Sequence, residues 1–191
     1  EPGKNLTFSV LLKPKVRPDQ QFILTQLVAL AVADYVITKT TSVKIKWPND
    51  ILVNDKKICG ILIESSLSGA VVQFVIAGAG LNINQTVFQN PRATSLKLET
   101  GKEFNLNTEL HELLQAVEVR YLQLREGNIA KLQHDYLQRL YRLGEQHEFK
   151  TGSEFVKGSI ESVDEQGRLQ VKIDGATKTF DLKEISFADW V

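Results

Sequence analysis

The sequence predicts an α+β fold: a mixed or antiparallel sheet with helices packed on one face, followed by a small β-barrel. Three observations predict it. Residues 18–39 are apolar on nearly every side, with Phe22, Ile23, Leu27, Leu30, Ala31, Val32 and Tyr35, the pattern of a helix packed between other elements. Residues 43–47, 51–53 and 57–65 are short runs rich in strand formers, and such runs read as neighbouring strands. From about Glu145 the chain breaks into brief alternating runs with glycine-containing turns between them, a spacing that suits a small barrel.

At the amino end, Leu6-Thr7-Phe8-Ser9-Val10-Leu11-Leu12 lies between Gly3 and Pro14 and reads as a buried strand. Asp19 is expected near the amino end of the long apolar helix, where its charge favours the helix dipole. The tetrad Asn54-Asp55-Lys56-Lys57 has the chemistry of a hairpin turn. A further strand is expected over 70–77. Residues 106–125 show helical periodicity through Leu110, Leu113, Leu114, Val117 and Tyr121, and 128–143 continue it through Ile129, Leu132, Tyr136 and Leu140. Glycines and polar residues at 151–153, 165–167 and 174–175 separate the last strands. The domain boundary is expected near Gly144, giving a larger domain over 1–144 and a small one over 145–191.

Composition excludes several classes. The 23 Lys and Arg balance the 23 Asp and Glu of the 191 residues, so no global field gathers nucleic acid or an anionic membrane, and any anion must be met locally. A single cysteine, Cys59, sits in an apolar run; this rules out a disulfide framework and suits a reducing compartment. No uninterrupted apolar run reaches the roughly 18–20 residues of a membrane span, and Glu1-Pro2-Gly3 does not resemble a signal peptide. A soluble, cytoplasmic protein is expected.

Chemistry concentrates in two places. Lys46-Trp47-Pro48-Asn49-Asp50 ends one strand, and Lys57 leaves the following hairpin, so both can share one end of a sheet. Proline ends strands, and Asn-Asp caps turns, so a plain turn is one reading. The other is a phosphoryl-handling site: Lys46 and Lys57 can flank a triphosphate, Asp50 its magnesium ion, and Asn49 can hydrogen-bond either. Gly60, inside an apolar strand, marks a bulge or a close approach. Gly78-Ala79-Gly80-Leu81-Asn82 lacks the third glycine of a dinucleotide fingerprint; it is either a turn or bare backbone against which a flat ligand lies, with Asn82 adding a hydrogen bond. His111, His134 and His147 have no metal-type spacing, and no hydrolase elbow or zinc motif occurs.

In order and spacing, Lys46-Trp47-Pro48-Asn49-Asp50, then Asn54-Asp55-Lys56-Lys57-Ile58-Cys59-Gly60-Ile61-Leu62-Ile63-Glu64, then Gly78-Ala79-Gly80-Leu81-Asn82-Ile83-Asn84 resemble the biotin protein ligases. The resemblance extends to Gly3-Lys4-Asn5-Leu6, Ala93-Thr94-Ser95-Leu96 and Glu184-Ile185-Ser186. It implies a class II synthetase-like catalytic fold, an SH3-like barrel beyond Gly144, and two half-reactions. Biotin and ATP with Mg2+ give biotinyl-5'-AMP, and a lysine of a biotin carboxyl carrier protein then displaces AMP. It implies Lys57 as catalytic residue; Lys57, Gly60, Ile61, Leu62, Gly78 and Gly80 on biotin; Lys46, Asn49, Asp50 and Asn82 on ATP or the adenylate; and Asp50 on magnesium. Ala93-Thr94-Ser95 reads as a helix start with amides toward the nucleotide, or as a plain cap. Residues near Glu184 are implied on nucleotide or carrier.

The chain departs from the family twice. The family's Gly-Arg-Gly-Arg-Arg-Gly-Arg loop lies upstream of where Glu1 stands, so Leu6–Leu12 and its neighbours are expected to lack strand partners and expose apolar surface. Phe187-Ala188-Asp189-Trp190 also replaces the arginine that often follows Glu-Ile-Ser. A homodimer through a sheet edge is compatible with the family. The alternatives are a lipoate ligase, which uses the same adenylate strategy, and a non-catalytic binding module.

Overall fold

The computed structural model describes residues 1–68 and 71–190. Its first sheet comprises β1 (Leu6–Leu12), β2 (Val43–Lys46), β3 (Asp50–Val53), β4 (Lys56–Ser68) and β5 (Val71–Leu81), in the order β1-β5-β4-β3-β2. Every neighbouring pair is antiparallel, which decides between the two expected sheet types. The connections from β2 through β5 are too short for a crossover, so each strand returns alongside its predecessor. The strand expected over 70–77 is β5, which runs on to Leu81; Ala70 lies outside the described residues. Asn54 and Asp55 form the β3–β4 turn with φ of 49° and 60°, the left-handed conformation that Asn and Asp tolerate.

The expectation that β1 lacks strand partners is corrected. It pairs with β5 over its whole length, from Leu6 with Leu81 to Leu12 with Val75. Exposed apolar side chains remain on the outer face of the sheet at Leu11, Leu62 and Ile76.

The inner face carries the core. Helix α1 (Phe22–Ile37) is buried at Leu24, Leu27, Leu30, Val32 and Val36 among others, because it lies between the sheet and two later helices. By length and composition Pro18–Ile37 would suffice to cross a membrane, but most of it is buried in the fold. Pro18–Gln20 is a 3-10 turn preceding the helix, and Asp19 takes two hydrogen bonds of 3.0 Å from Arg17. Asp19 thus lies near the amino end as expected, but in the 3-10 turn rather than in the first turn of α1 itself.

After the short α2 (Leu96–Thr100), α3 (Leu106–Arg125) and α4 (Ile129–Gln138) cover α1. Asn105 caps α3 by accepting from the amides of Asn107 and Thr108 at 3.0 and 3.2 Å, satisfying two of its orphan donors. The buried stripe of α3 is Glu109, Leu113, Val117, Arg120 and Leu124. Leu114, expected in that stripe, is exposed, one position off the 3.6-residue period. Arg120 reaches Asp34 of α1 and Asp135 of α4, both at 2.6 Å, and so clamps three helices at once.

The second sheet comprises β6 (Gln146–Thr151), β7 (Glu154–Val163), β8 (Leu169–Ile173), β9 (Ala176–Phe180) and β10 (Ser186–Phe187), antiparallel in the order β10-β6-β7-β8-β9. Phe149, Ile160, Val171, Ile185 and Phe187 from this part join the same contiguous hydrophobic cluster as the first sheet and α1. The small β-unit is therefore docked on the larger one by burial of apolar surface. A 3-10 turn, Ala188–Trp190, follows β10.

Candidate active site

Four strands contribute to one row of residues. Antiparallel register places Thr7 of β1 opposite Gly80 of β5, Gly80 opposite Gly60 of β4, and Gly60 opposite Asp50 of β3. The adjoining row is Ser9, Gly78 and Leu62. Directly opposed residues share a face, so these rows form a floor of nearly bare backbone flanked by small hydroxyls. Thr7, Phe8, Ser9, Asn49, Lys57, Gly60, Ile61, Leu62, Gly78, Ala79 and Gly80 line a groove of about 410 Å3 there.

Lys57 reaches this face because β4 is irregular. In a regular strand, residues 57 and 60 point to opposite sides. The register with β3 shifts between Ile51 and Leu52, so Ile51 opposes Cys59 and Leu52 opposes Lys57, leaving Ile58 without a counterpart. Ile58 and Cys59 are both buried; this β-bulge restores Lys57 to the groove side. The peptide of Lys57 is held on both sides, its N–H donating to the Arg92 carbonyl at 2.6 Å and its carbonyl accepting from the Thr94 N–H at 2.9 Å.

The Lys57 ammonium stands 2.5 Å from Oδ1 of Asp50, and Lys46 stands 3.9 Å from Oδ2 of the same carboxylate. Gly60 gives this pair room: a Cβ there would lie 3.2 Å from both Cε and Nζ of Lys57 and 3.7 Å from Asp50 Oδ1. The close approach expected at Gly60 is thus that of the lysine side chain. A Cβ on Gly80 would project into open space, so packing against the rest of the protein does not require that glycine.

Burial, the repulsion of Lys57 acting with it and the attraction of Asp50 against it, holds the Lys46 ammonium below the usual lysine range. Lys46 sits in an aromatic box, 4.6 Å from the ring centre of Trp190 and 5.5 Å from that of Phe187. Cys59, beneath the pair, is pushed up to about 12 by burial and the neighbouring Asp50 charge, so it stays a thiol and behaves as a small hydrophobe.

The remaining candidates do local work. The Asn49 amide donates to the Ile61 carbonyl at 2.6 Å while the Ile61 N–H donates to the Asn49 carbonyl at 3.0 Å, which pins the Pro48 turn to β4. Ile61 is buried on the inner face and offers the groove only backbone. Asn82 donates to the Thr94 carbonyl at 2.9 Å and holds the loop that precedes α2. The amides at the start of α2 are taken by protein acceptors: Leu96 by Asn82, Lys97 by Ile83, and Leu98 by the Ser95 hydroxyl. Of the two readings of Ala93-Thr94-Ser95, the plain cap accounts for these bonds. Glu184 accepts from the Asp181 amide at 2.7 Å and caps its own turn. No cluster of three or more His, Cys, Asp or Glu suited to a metal occurs among the described residues, so Asp50 is not part of such a group.

Thr7, Phe8 and Ser9 of the groove went unnoticed in the sequence. Their signal was the period-two alternation of β1, which says that Thr7 and Ser9 share a face but not which strand lies beside them.

A relative from Paracoccus denitrificans, a biotin--[acetyl-CoA-carboxylase] ligase, is 31% identical over 195 residues, spanning 97% of this chain and 81% of its own length. The chain belongs to the biotin protein ligase family. Residues 1–82 match the Biotin/lipoate A/B protein ligase family. A ligase of the same name from Mycobacterium tuberculosis is 33% identical over 150 residues, 77% of this chain and 54% of the relative. The solved biotin protein ligase from Aquifex aeolicus in complex with biotin and ATP superimposes with a TM-score of 0.78 at 26% identity, over 96% of this chain and 78% of that one. The fold shared with this ligase extends through the second sheet, so the small β-unit is part of the family architecture of this chain.

Proposed function

We propose that the chain activates biotin with ATP and transfers the biotinyl group to a lysine of a carrier protein, with Lys57 as the catalytic cation. The observation that carries this reading is the glycine row. Gly80 leaves bare backbone in the groove, and Gly60 gives room to the ammonium that lies at its end; a flat ring with a carboxylate tail fits that combination. The names of the relatives point to the same substrates.

On this reading the biotin ring lies along Gly60, Ile61, Leu62, Gly78 and Gly80, with its carboxylate toward Lys57. The ATP, carrying its magnesium ion, approaches from the side of Lys46, Asn49, Asp50 and Asn82. A carboxylate oxygen attacks the α-phosphorus, the bond to the bridging oxygen breaks, and pyrophosphate leaves with that electron pair. Lys57 relieves the repulsion between the two anions and follows the charge that develops on the phosphoryl oxygens. It must leave Asp50 to do so, which frees the carboxylate for the incoming magnesium ion. The carrier amine then attacks the acyl carbon and AMP departs.

The carrier is a biotin carboxyl carrier protein on this reading, and residues 145–191 act as an SH3-like accessory domain. The free edge of β1, terminal in its sheet, is the edge a second copy would use in a homodimer. A buried free thiol at Cys59 suits a reducing cytoplasm.

Lys57→Ala tests the assignment. Biotin-dependent pyrophosphate–ATP exchange is expected to fall by at least ~100-fold, the scale of losing a charge that acts in the transition state, while the circular dichroism spectrum is retained. Exchange at the parent rate would refute the role. Calorimetry with biotin and with lipoate separates the two acids, because a ureido ring needs hydrogen-bond partners that a dithiolane does not.

A further inference from the structure

Trp190 touches two cations that reach Lys57 by different routes. The Lys46 ammonium lies 4.6 Å from its ring centre and the Arg92 guanidinium carbon 5.0 Å. Lys46 continues to Asp50 at 3.9 Å, and Asp50 to Lys57 at 2.5 Å. Arg92 connects from the other side, its carbonyl accepting the Lys57 N–H at 2.6 Å. The contacts close a ring, Trp190–Lys46–Asp50–Lys57–Arg92–Trp190, that grips the lysine by both side chain and backbone.

The turn bearing Trp190 is itself anchored. Asp189 accepts two hydrogen bonds from Arg142, at 3.0 and 2.9 Å, and lies 3.8 Å from Arg92. Arg142 in turn covers the Tyr141 ring at 4.7 Å, and Tyr141 meets Trp190 edge-on with centroids 6.4 Å apart. The indole is therefore held by the body of the protein, and a fixed quadrupole can hold cations in place.

We infer that Trp190 is a positioning residue for Lys57, acting through Lys46 on its side chain and through Arg92 on its backbone. The inference rests on the adenylating role proposed for Lys57, but the ring is a geometric claim with a readout of its own. An aromatic ring on the last turn of the small β-unit thus sets the geometry of an ammonium in the first sheet, which ties docking of that unit to the chemistry.

The test measures how fast acetic anhydride modifies Lys57 in the full chain, by mass spectrometry, against the exposed Lys131 as internal standard. Trp190→Leu is expected to raise the Lys57 rate roughly 2- to 30-fold, the range of a partly desolvated cation–aromatic contact. It should also lower kcat of biotin-dependent pyrophosphate exchange by the same order with the KM for biotin near the parent value, and Trp190→Phe should restore both. Arg92→Met opens the ring at a different link and is expected to raise the labelling rate as well, which covers the case of a misfolded Trp190→Leu. Labelling of Lys57 at the parent rate in the folded variants would overturn the inference. Faster labelling in a chain whose parent form shows no biotin-dependent exchange would uphold the ring and sink the ligase reading instead.

Discussion

The indole N–H of Trp47 donates to the carbonyl of Gly167 at 2.8 Å, joining residues 120 positions apart. Trp47 closes β2 of the first sheet, and Gly167 lies in the β7–β8 turn of the second. The same glycine has φ of 89°, and a Cβ on it would fall 2.3 Å from the Phe22 ring at the start of α1. Three elements meet there, so this turn is where the small β-unit is seated. Gly167→Ala is expected to cost about 2–4 kcal/mol from left-handed strain and collision together, and Trp47→Phe about 1–2 kcal/mol from the stranded carbonyl. Urea denaturation reads both; a parent-like midpoint for Gly167→Ala would show that the turn is not seated as described.

Gly60→Ala separates chemistry from folding. The backbone there has no positive φ, so alanine is tolerated conformationally, but its methyl would displace the Lys57 ammonium. At 3.2 Å the ammonium has to give by a few tenths of an ångström, and since a shift of about 1 Å can cost on the order of 100-fold in a positioned reaction, a loss of about 2- to 10-fold is expected. Exchange activity should fall by that much while the thermal midpoint moves little. Retained activity would mean that the lysine does not work from the place where it lies.

Asp50→Asn removes the shared counter-ion of Lys46 and Lys57 without changing size. The kcat/KM for magnesium–ATP is expected to drop ~10- to 100-fold, with the biotin dissociation constant, measured by calorimetry, within about threefold of the parent, less than 1 kcal/mol. Equal losses toward both substrates would remove Asp50 from the nucleotide side.

A pH dependence of stability follows from the helix clamp. Burial opposes ionisation of Asp135, but the hydrogen bonds and charges of Arg120 and Lys131 outweigh it and hold the carboxyl below its ordinary value of 3.8. A depressed folded value means stability that is fully present above the unfolded value and is lost as pH falls through the folded one. Asp135→Asn should therefore be less stable than the parent at neutral pH, and the gap should close below about pH 4. Urea midpoints at pH 7 and at about pH 2 check this; a gap of constant size would assign the loss to packing.

Much of the site was legible because its residue types are unusual where they stand. Lysines beside a Pro-Asn-Asp turn, and glycines inside apolar strands, are local departures from strand chemistry that one pass along the chain detects. The buried α1 was legible for a similar reason, since apolar residues on every side leave a helix nowhere but an interior. Leu114 was misjudged, and α1 begins after Asp19 rather than at it, because helix phase and helix start each turn on a shift of one to three residues, which periodicity does not resolve. Asn82 and Asn49 were readable as polar groups near a site, but not as the clamps they are. Which carbonyl an amide reaches depends on strands that meet only after folding.

By itself the sequence determined which residues are available: the Lys46–Asp50 turn, the Lys57 hairpin, Gly60 and the Gly78–Gly80 pair. It also determined the kind of element on which each sits, because backbone propensity and side-chain period are local properties. Only the tertiary structure decided that Lys57 faces Gly60, since a one-residue bulge at Ile58 reverses which face a strand residue occupies. Only it aligned Thr7, Gly80, Gly60 and Asp50 in one row, and only it set Trp190 between Lys46 and Arg92. Register and docking are settled by long-range pairing and by burial of a shared core, and these energies belong to the folded ensemble of contacts rather than to any segment of the chain.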